Sequence, residues 1–521
     1  MPAKDGVPPV AGHNKWIITI TVMTGALVSS ITASSVNVAL PGMQGNLGAT
    51  VEEIAWVSTS YILSSVIIMP LVAWFSSRFG RKRFYMACIL LFITSSILCG
   101  MAWDLLSIVA FRIIQGIGGG TLMIVAQAIL RETFPPEEHG VAMGIYGLGV
   151  VMGPAFGPTI GGWVVDHYSW PWVFYINIPI SVTNLFLAAH FIHDPPYLVR
   201  AKGKIDFSGL ILLIIALGAL QLMLEKGEVN DWLGSRLIIS LAVIAFVGIV
   251  LFVTRELHTD RPAVNLRLLR NLTFAGGTAL GGVLGAGIMT GVFLMPMFLQ
   301  KLLDYPATDS GLAMMPRSLA MAFVMPIAGR LYNRIGPKAM VSIGFFIVGL
   351  SFWQLSRLSM NAGHWDIFVP QFLQGVGFAM VFVSLSTAAL CRINKPDMTA
   401  ATGLYNFFRQ ISGSIGIAVA ASQLTRSRNH YRTLLMENVS DYTDATHAWL
   451  QKMTESLIQQ GIDPSTASEK ALGYLEQTVI DQATMLSFNH VYFLIASLFF
   501  AAIPFVFLLR IKGGYERYDD R

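Results

Sequence analysis

Apolar residues in this chain come in long uncharged runs rather than at strand-like alternation. Runs of about 20 residues, the length that crosses a bilayer as a helix, recur along it. They lie near 16–40, 54–75, 84–102, 105–130, 141–164, 172–192, 207–225, 236–255, 273–299, 310–332, 338–356, 366–391, 401–424 and 487–510. A membrane β-barrel would show segments of roughly ten residues with alternating polarity. The pattern therefore predicts an all-α polytopic membrane protein with fourteen transmembrane helices, numbered below as spans 1–14. An even count puts both termini on one side. The stretch Met1 to Asn14 is short and polar. The run after it has no small-x-small cleavage site, so it reads as a retained first span.

Charge sets the orientation. With both termini inside, inner segments hold 23 of the 35 Lys and Arg residues and outer segments nine, five of these in one long loop. That bias counts most in short loops, so the termini are expected to be cytoplasmic. The net charge of +5 is mainly this topological signal. Composition agrees with the pattern: 54% of residues are hydrophobic and 12% charged, against about 25% charged in an average soluble domain. This excludes a disordered chain, a secreted disulfide scaffold and a soluble nucleic-acid binder. The three cysteines, Cys88, Cys99 and Cys391, fall inside apolar runs and staple nothing.

An internal repeat divides the chain. Arg78-Phe-Gly-Arg-Lys82 after span 2 returns as Arg334-Ile-Gly-Pro-Lys338 after span 10, 256 residues on. Arg112-Ile-Ile-Gln-Gly-Ile-Gly118 in span 4 returns as Gln371-Phe-Leu-Gln-Gly-Val-Gly377 in span 12, 259 residues on, and Gly144 and Gly157 return as Gly403 and Gly416 at the same offset. Spans 1–6 thus correspond to spans 9–14. The expected organisation is a cytoplasmic N-terminus (1–15), a six-helix bundle (16–195), an inserted pair with flanking loops (196–271) and a second six-helix bundle (272–521). The second bundle carries a long outer loop, 425–485. Within that loop Asp463 reads as a helix cap and Pro464 as a first helical position, which is compatible with a helical hairpin extending the spans or with a solvated spacer. Duplicated bundles flanking a midplane cavity are a common plan for secondary transporters.

Several clusters then carry chemistry. In span 5, Gly144, Gly153, Gly157-Pro158 and Gly161-Gly162 strip side chains from a helix face, either for plain packing or for a moving contact. The loop Ala73-Trp-Phe-Ser-Ser77-Arg78-Phe-Gly80-Arg81-Lys82-Arg joins a turn-forming glycine to cations. Arg112 sits mid-span, where a charge costs about 2.5–3.5 kcal/mol on the insertion scale and should face the bundle interior. It serves coupling, or it bonds only to Gln115 and nearby carbonyls. Arg317 and Arg409 are also intramembrane, free to pair with an acidic substrate group or with the other bundle. Asn37, Tyr61, Asn177, Gln371 and Asn406 are polar groups that would line a cavity or bridge helices. Trp56, Trp170 and Trp172 read as interfacial anchors.

These residues resemble the major facilitator superfamily, in its fourteen-span drug:proton antiporter branch, nearest to the EmrB-like exporters of Gram-negative inner membranes. The span-5 glycines match the antiporter motif, which the resemblance places at the interface between bundles. Arg112, Gln115 and Gly116 match the span-4 motif tied to proton transfer. Ser77, Arg78, Gly80, Arg81 and Lys82 match the cytoplasmic gating loop, although Ala73 and Ser77 replace its glycine and aspartate, so its charge-paired latch is expected to be weak or made differently. Asn406 and Arg409 resemble the span-13 pattern. The resemblance implies proton-driven export of hydrophobic or amphipathic toxic compounds across the inner membrane, by alternating access, with no cofactor and no bound metal. It also implies a periplasmic adaptor of the membrane-fusion type and an outer-membrane channel. The span-1 aspartate of many relatives is Thr32 here, and Asp104, Asp166, Asp206 and Asp366 all lie near span ends, so the proton carrier is not assigned. No Gly-x-x-x-x-Gly-Lys-Ser/Thr sequence occurs, which argues against ATP as the energy source, and no His or Cys cluster suggests an enzyme. Export of one metabolite or siderophore is the alternative within transport. A subunit of a proton-pumping complex would show intramembrane lysines, which the spans lack.

Overall fold

The computed structural model describes residues 12–194, 207–259, 262–439 and 444–509. The cationic loop 200–204 and both chain ends lie outside the described residues. Thirteen long helices follow the first thirteen apolar runs: α1 (Gly12–Leu47), α2 (Trp56–Phe79), α3 (Arg81–Gly100), α4 (Leu105–Thr133), α5 (His139–His167), α6 (Trp172–Phe191), α7 (Phe207–Lys226), α8 (Arg236–His258), α9 (Leu272–Lys301), α10 (Ala307–Ile335), α11 (Pro337–Leu355), α12 (His364–Ala389) and α13 (Met398–Asn438). A shorter helix, α14 (Asp444–Gln459), precedes α15 (Pro464–Ala502), whose second half is span 14. All but α13 and α14 are apolar enough to cross a bilayer by length and composition. α13 carries Asn406, Arg409 and Gln410 among its apolar residues, which lowers its hydropathy.

Local chemistry sets many of the boundaries. Asp104 caps α4 by accepting from the Ser107 amide at 2.8 Å, and Thr50 and Glu53 form a reciprocal capping box before α2. The turns after α2 and α10 are made by Gly80 (φ 88°) and Gly336 (φ 85°), a left-handed backbone that favours glycine. The same strained turn at the same repeat position is direct structural support for the duplication.

Helices α1–α6 form one bundle and α9–α13 with α15 the other, with matching pairings in each: α1 on α5 and α9 on α13, α2 on α4 and α10 on α12, α3 on α4 and α11 on α12. Aromatic rings fill the second bundle, where Phe352 stacks on Phe499 at 6.0 Å beside Phe378 and Tyr492. The inserted pair α7–α8 packs on itself, and α7 touches both α2 and α13. α8 turns Leu237, Val243, Phe246 and Leu251 outward, as a lipid-facing helix should.

The long loop is a helical hairpin. α13 runs on to Asn438, and α14 packs on the start of α15 through Leu457, Ala467 and Ala471. Asp463 caps α15 by accepting from the Ser465 amide at 3.2 Å, with Pro464 at the first position. One end of the molecule is therefore a hairpin face. The opposite, basic face carries the α2–α3, α4–α5 and α10–α11 turns. Trp170 departs from its expected role: it is buried with Val173 and Phe174 in a small core of the first bundle, whereas Trp172 is exposed.

Candidate transport site between the bundles

Glycine makes the seam. α5 lies on α10 so closely that a Cβ on Gly144 would stand 2.6 Å from the Met325 carbonyl oxygen, and Gly140 and Gly329 meet backbone to backbone. The repeat reproduces this on the other side, where a Cβ on Gly403 of α13 would stand 2.6 Å from the Met69 carbonyl oxygen of α2. Both partners are Met-Pro pairs, Met325-Pro326 and Met69-Pro70. The rest of the span-5 motif does something else. Gly153, Gly157 and Gly161 press on Ser30, Ser34 and Ser35 of α1, inside the first bundle, and Ser34 donates to the Gly153 carbonyl at 2.8 Å. Gly162 has only Val38 nearby and Pro158 is exposed. Of these glycines Gly144 meets the second bundle, while Gly153, Gly157 and Gly161 meet α1, so the motif is divided between two neighbours.

The basic face is closed by polar contacts between bundles. Arg81, which is buried, pairs with Glu132 at the end of α4 and donates to Thr399 Oγ of α13 at 3.1 Å. Asn333 donates to the Glu137 carbonyl at 2.6 Å. This supplies the latch that Ser77 cannot, since its hydroxyl donates to the Trp74 carbonyl of its own helix. The acid of this contact is Glu132 at the end of α4, not a residue of the loop. Lys82 caps α6 by donating to the Ala189 carbonyl at 2.5 Å, and Arg78 also has a partner.

Above that latch, a polar network crosses the seam. Asn406 of α13 donates to Gln127 Oε1 of α4 at 2.6 Å and accepts from Arg409 at 2.8 Å. The Arg409 guanidinium lies 5.0 Å from the Phe382 ring centre, and Phe382 stacks with Tyr146 of α5 at 6.3 Å. Arg409 is only partly buried, so it is the one of the three intramembrane arginines that retains an exposed surface. Gln127, Tyr146 and Phe382 were not read from the sequence. A usable signal existed for one of them, because Tyr146 returns as Tyr405 at the repeat offset of 259.

Arg112 is fully buried within the first bundle. It donates to the Val57 carbonyl (2.9 Å) and Gln115 Oε1 (2.7 Å), and Gln115 donates to Ser96 Oγ (2.7 Å). Its guanidinium lies 4.3 Å from the Tyr61 ring centre, a cation–π contact. Gly116 lets α2 approach, since a Cβ there would strike the Tyr61 carbonyl and Ser64. In the second bundle the arrangement is exchanged. Gln371 and Gln374 stand at the Arg112 and Gln115 positions, while Arg317 stands 256 residues after Tyr61. Gly375 meets the Arg317 carbonyl just as Gly116 meets that of Tyr61. At this repeat-related level each bundle buries one guanidinium, Arg112 or Arg317, contributed by opposite members of a helix pair.

Four of the polar candidates are buried. Tyr61, Asn177, Arg317 and Gln371 are all at most 6% exposed; glycines opposite Tyr61 and Arg317 let neighbouring helices of one bundle close over them. The Tyr61 hydroxyl bonds Ser29, and Asn177 donates to the Val173 carbonyl at 3.0 Å. Asn37 is exposed and accepts from Ser58 at 2.6 Å. Among the described residues, no group of three or more His, Cys, Asp or Glu side chains is arranged to hold a metal ion.

Two six-helix bundles related by an internal repeat, meeting at glycine seams around a polar centre, define a membrane transporter. The chain belongs to the Major Facilitator Superfamily, which it matches over residues 22–417. It is 30% identical to the "Multidrug export protein EmrB" of Haemophilus influenzae, covering 98% of each chain. It is 31% identical to the "Fatty acid resistance protein FarB" of Neisseria gonorrhoeae, covering 96% of this chain and 97% of that one. The crystal structure of the human organic anion transporter MFSD10 has the same fold, with a TM-score of 0.60 at 15% identity, covering 95% of this chain and all of that one.

Proposed function

We propose that the protein exports hydrophobic or amphipathic compounds across the inner membrane in exchange for protons, its basic face and both termini cytoplasmic. The observation that carries this reading is the seam: the basic face is latched through Arg81, Glu132 and Thr399, and a partly exposed arginine stands above it at the bundle interface. Alternating access then means breaking the latch while the bundles rock on the Gly144 and Gly403 contacts. Arg409 supports acidic amphiphiles among the substrates, in keeping with the name of the Neisseria relative. Arg112, Gln115 and Gly116 hold α4 against α2 and are assigned to coupling. The hairpin of α13, α14 and α15 is assigned to contact with a periplasmic adaptor, and through it an outer-membrane channel. Catalysis, a cofactor and nucleic acid have no part in this reading.

One charge crossing 100 mV supplies about 2.3 kcal/mol, enough for a roughly fifty-fold gradient. Proton release from energised inside-out vesicles on adding tetraphenylphosphonium or decanoate tests the proposal. Release with either probe is the expected result, and release with decanoate that is lost in Arg409→Gln ties the cation to the headgroup. Silence across a broad panel, with the protein folded and present, overturns broad-range antiport in favour of one narrow substrate.

A further inference from the structure

The inserted pair α7–α8 belongs to neither bundle, yet α7 is bonded to both. Gln221 donates to Ser414 Oγ of α13 at 3.0 Å. One turn later Glu225 meets Thr59 of α2, and Lys226 lies 5.8 Å from the Trp56 ring centre of the same helix. The turn beyond α7 leans back on α13, with Glu228 facing Ser422, Thr425 and Arg426. Burial would raise the Glu228 carboxyl, but hydrogen bonds from Thr425, Trp232 and Ser422 and the charge of Arg426 outweigh it and hold it below its ordinary value. Asp231 (φ 54°) and Trp232 (φ 40°) are both left-handed, and Trp232 Nε1 donates to Glu228 at 3.0 Å, which folds the turn tightly over the end of α7.

α7 packs on α13 and α2 to a similar extent. The polar ties to α13 run from Gln221 to Glu228 in the turn beyond α7, about two turns, while those to α2 are at Glu225 and Lys226. α7 therefore bridges the two bundles and grips the first through its last turn. The grip lies on the hairpin half of the α2–α13 seam, whereas Gly403 and Met69 touch on the basic half.

The chemistry of the grip depends on a proton. Thr59 has one hydroxyl hydrogen and two candidate acceptors, the Ala55 carbonyl at 3.1 Å and Glu225 Oε1. If the hydrogen points to Glu225, the carboxylate accepts a charge-assisted bond, roughly twice as strong as a neutral one. If it points to Ala55, only a protonated Glu225 can supply the hydrogen of the second contact. The side chain is exposed at the end of α7, so water on the hairpin face reaches it. The groups that act on Glu225 are the Thr59 hydroxyl of α2 and the charge of Lys226, its neighbour on α7, while the α13 cation Arg426 faces Glu228.

We propose that Glu225 is a proton-exchanging carboxylate of the transport cycle, and that α7, seated on α13, uses it to hold or release α2 on the hairpin half of the seam. This rests on the antiport reading. A proton taken from outer water weakens the bond to Thr59 from charge-assisted to neutral and frees α2 to move against α13. The proton leaves the same oxygen when the grip reforms.

The test is pulsed electron resonance on the full chain in proteoliposomes, with spin labels at Asn46, on the first bundle, and Val229, on the α7–α8 turn, at pH 8 and pH 5. The expected result is a distance change on the order of one helical turn, about 5 Å, in the wild type and none in Glu225→Gln. Thr59→Val should lock the pair at its low-pH distance. A pH-independent distance in the wild type, or a shift that persists in Glu225→Gln, overturns the proposal. Vesicles of the same protein separate the two readings: a pH-dependent distance without substrate-induced proton release keeps the Glu225 switch and removes antiport.

Discussion

A guanidinium in the middle of a membrane bundle is costly, and Arg112 offsets that cost with a backbone carbonyl, a glutamine and an aromatic face. Bonds to a charged group contribute about 1.5–3 kcal/mol each. If the residue served packing alone, a neutral side chain would do as well there. Arg112→Ala is expected to cut proton-coupled efflux at least tenfold while immunoblots of purified membranes show undiminished protein. Efflux at the wild-type rate would remove Arg112 from coupling. Its type and depth were legible from sequence, and so was its pairing with Gln115. That Tyr61 lies beneath it, and that Arg317 takes Tyr61's place in the other bundle, depended on how two helices cross.

α5 illustrates how one helix serves two neighbours. Gly144 opposes the Met325 backbone of the second bundle, and Gly157 opposes Ser34 of the first. Overpacking a tight contact costs about 1–3 kcal/mol, but the consequence differs by neighbour. Gly157→Leu wedges α5 from α1 and is expected to lower the amount of folded protein, read as a fall in the melting temperature of the detergent-purified chain. Gly144→Leu wedges the two bundles apart on the basic face. It is expected to leave the melting temperature within a few degrees while raising maleimide labelling of Met325→Cys about tenfold. Equal effects of the two substitutions on both readouts would remove the distinction. The glycine spacing was evident in the sequence, but which helix each glycine faces was not, since a 3.6-residue turn assigns faces only once neighbours are placed.

For the whole molecule, the proposed cycle has the two bundles move as bodies, while the hairpin extends from one of them. Replacing α14 (Asp444–Gln459) by a short flexible linker leaves the seam untouched. Proton release in vesicles is expected to stay within about twofold of wild type, while whole cells lose at least tenfold of their resistance to the exported compound. A parallel loss in both assays would place the hairpin in the transport cycle itself rather than in adaptor contact. The inserted pair is the opposite case, because α7 touches both bundles.

Burial of apolar runs and the distribution of Lys and Arg are one-dimensional properties, which is why helix positions, the duplication and the family resemblance could be read directly along the chain. The helical hairpin was half-visible, through the cap at Asp463 and Pro464. What only the tertiary structure decided is pairwise. Glu132 became the partner of Arg81, Gln127 met Asn406 across 279 residues, and Glu225 reached Thr59 across 166. Each of these is a single polar side chain outside the motifs read along the chain, and a hydrogen bond about 3 Å long is specified by the relative placement of two helices rather than by either one's sequence.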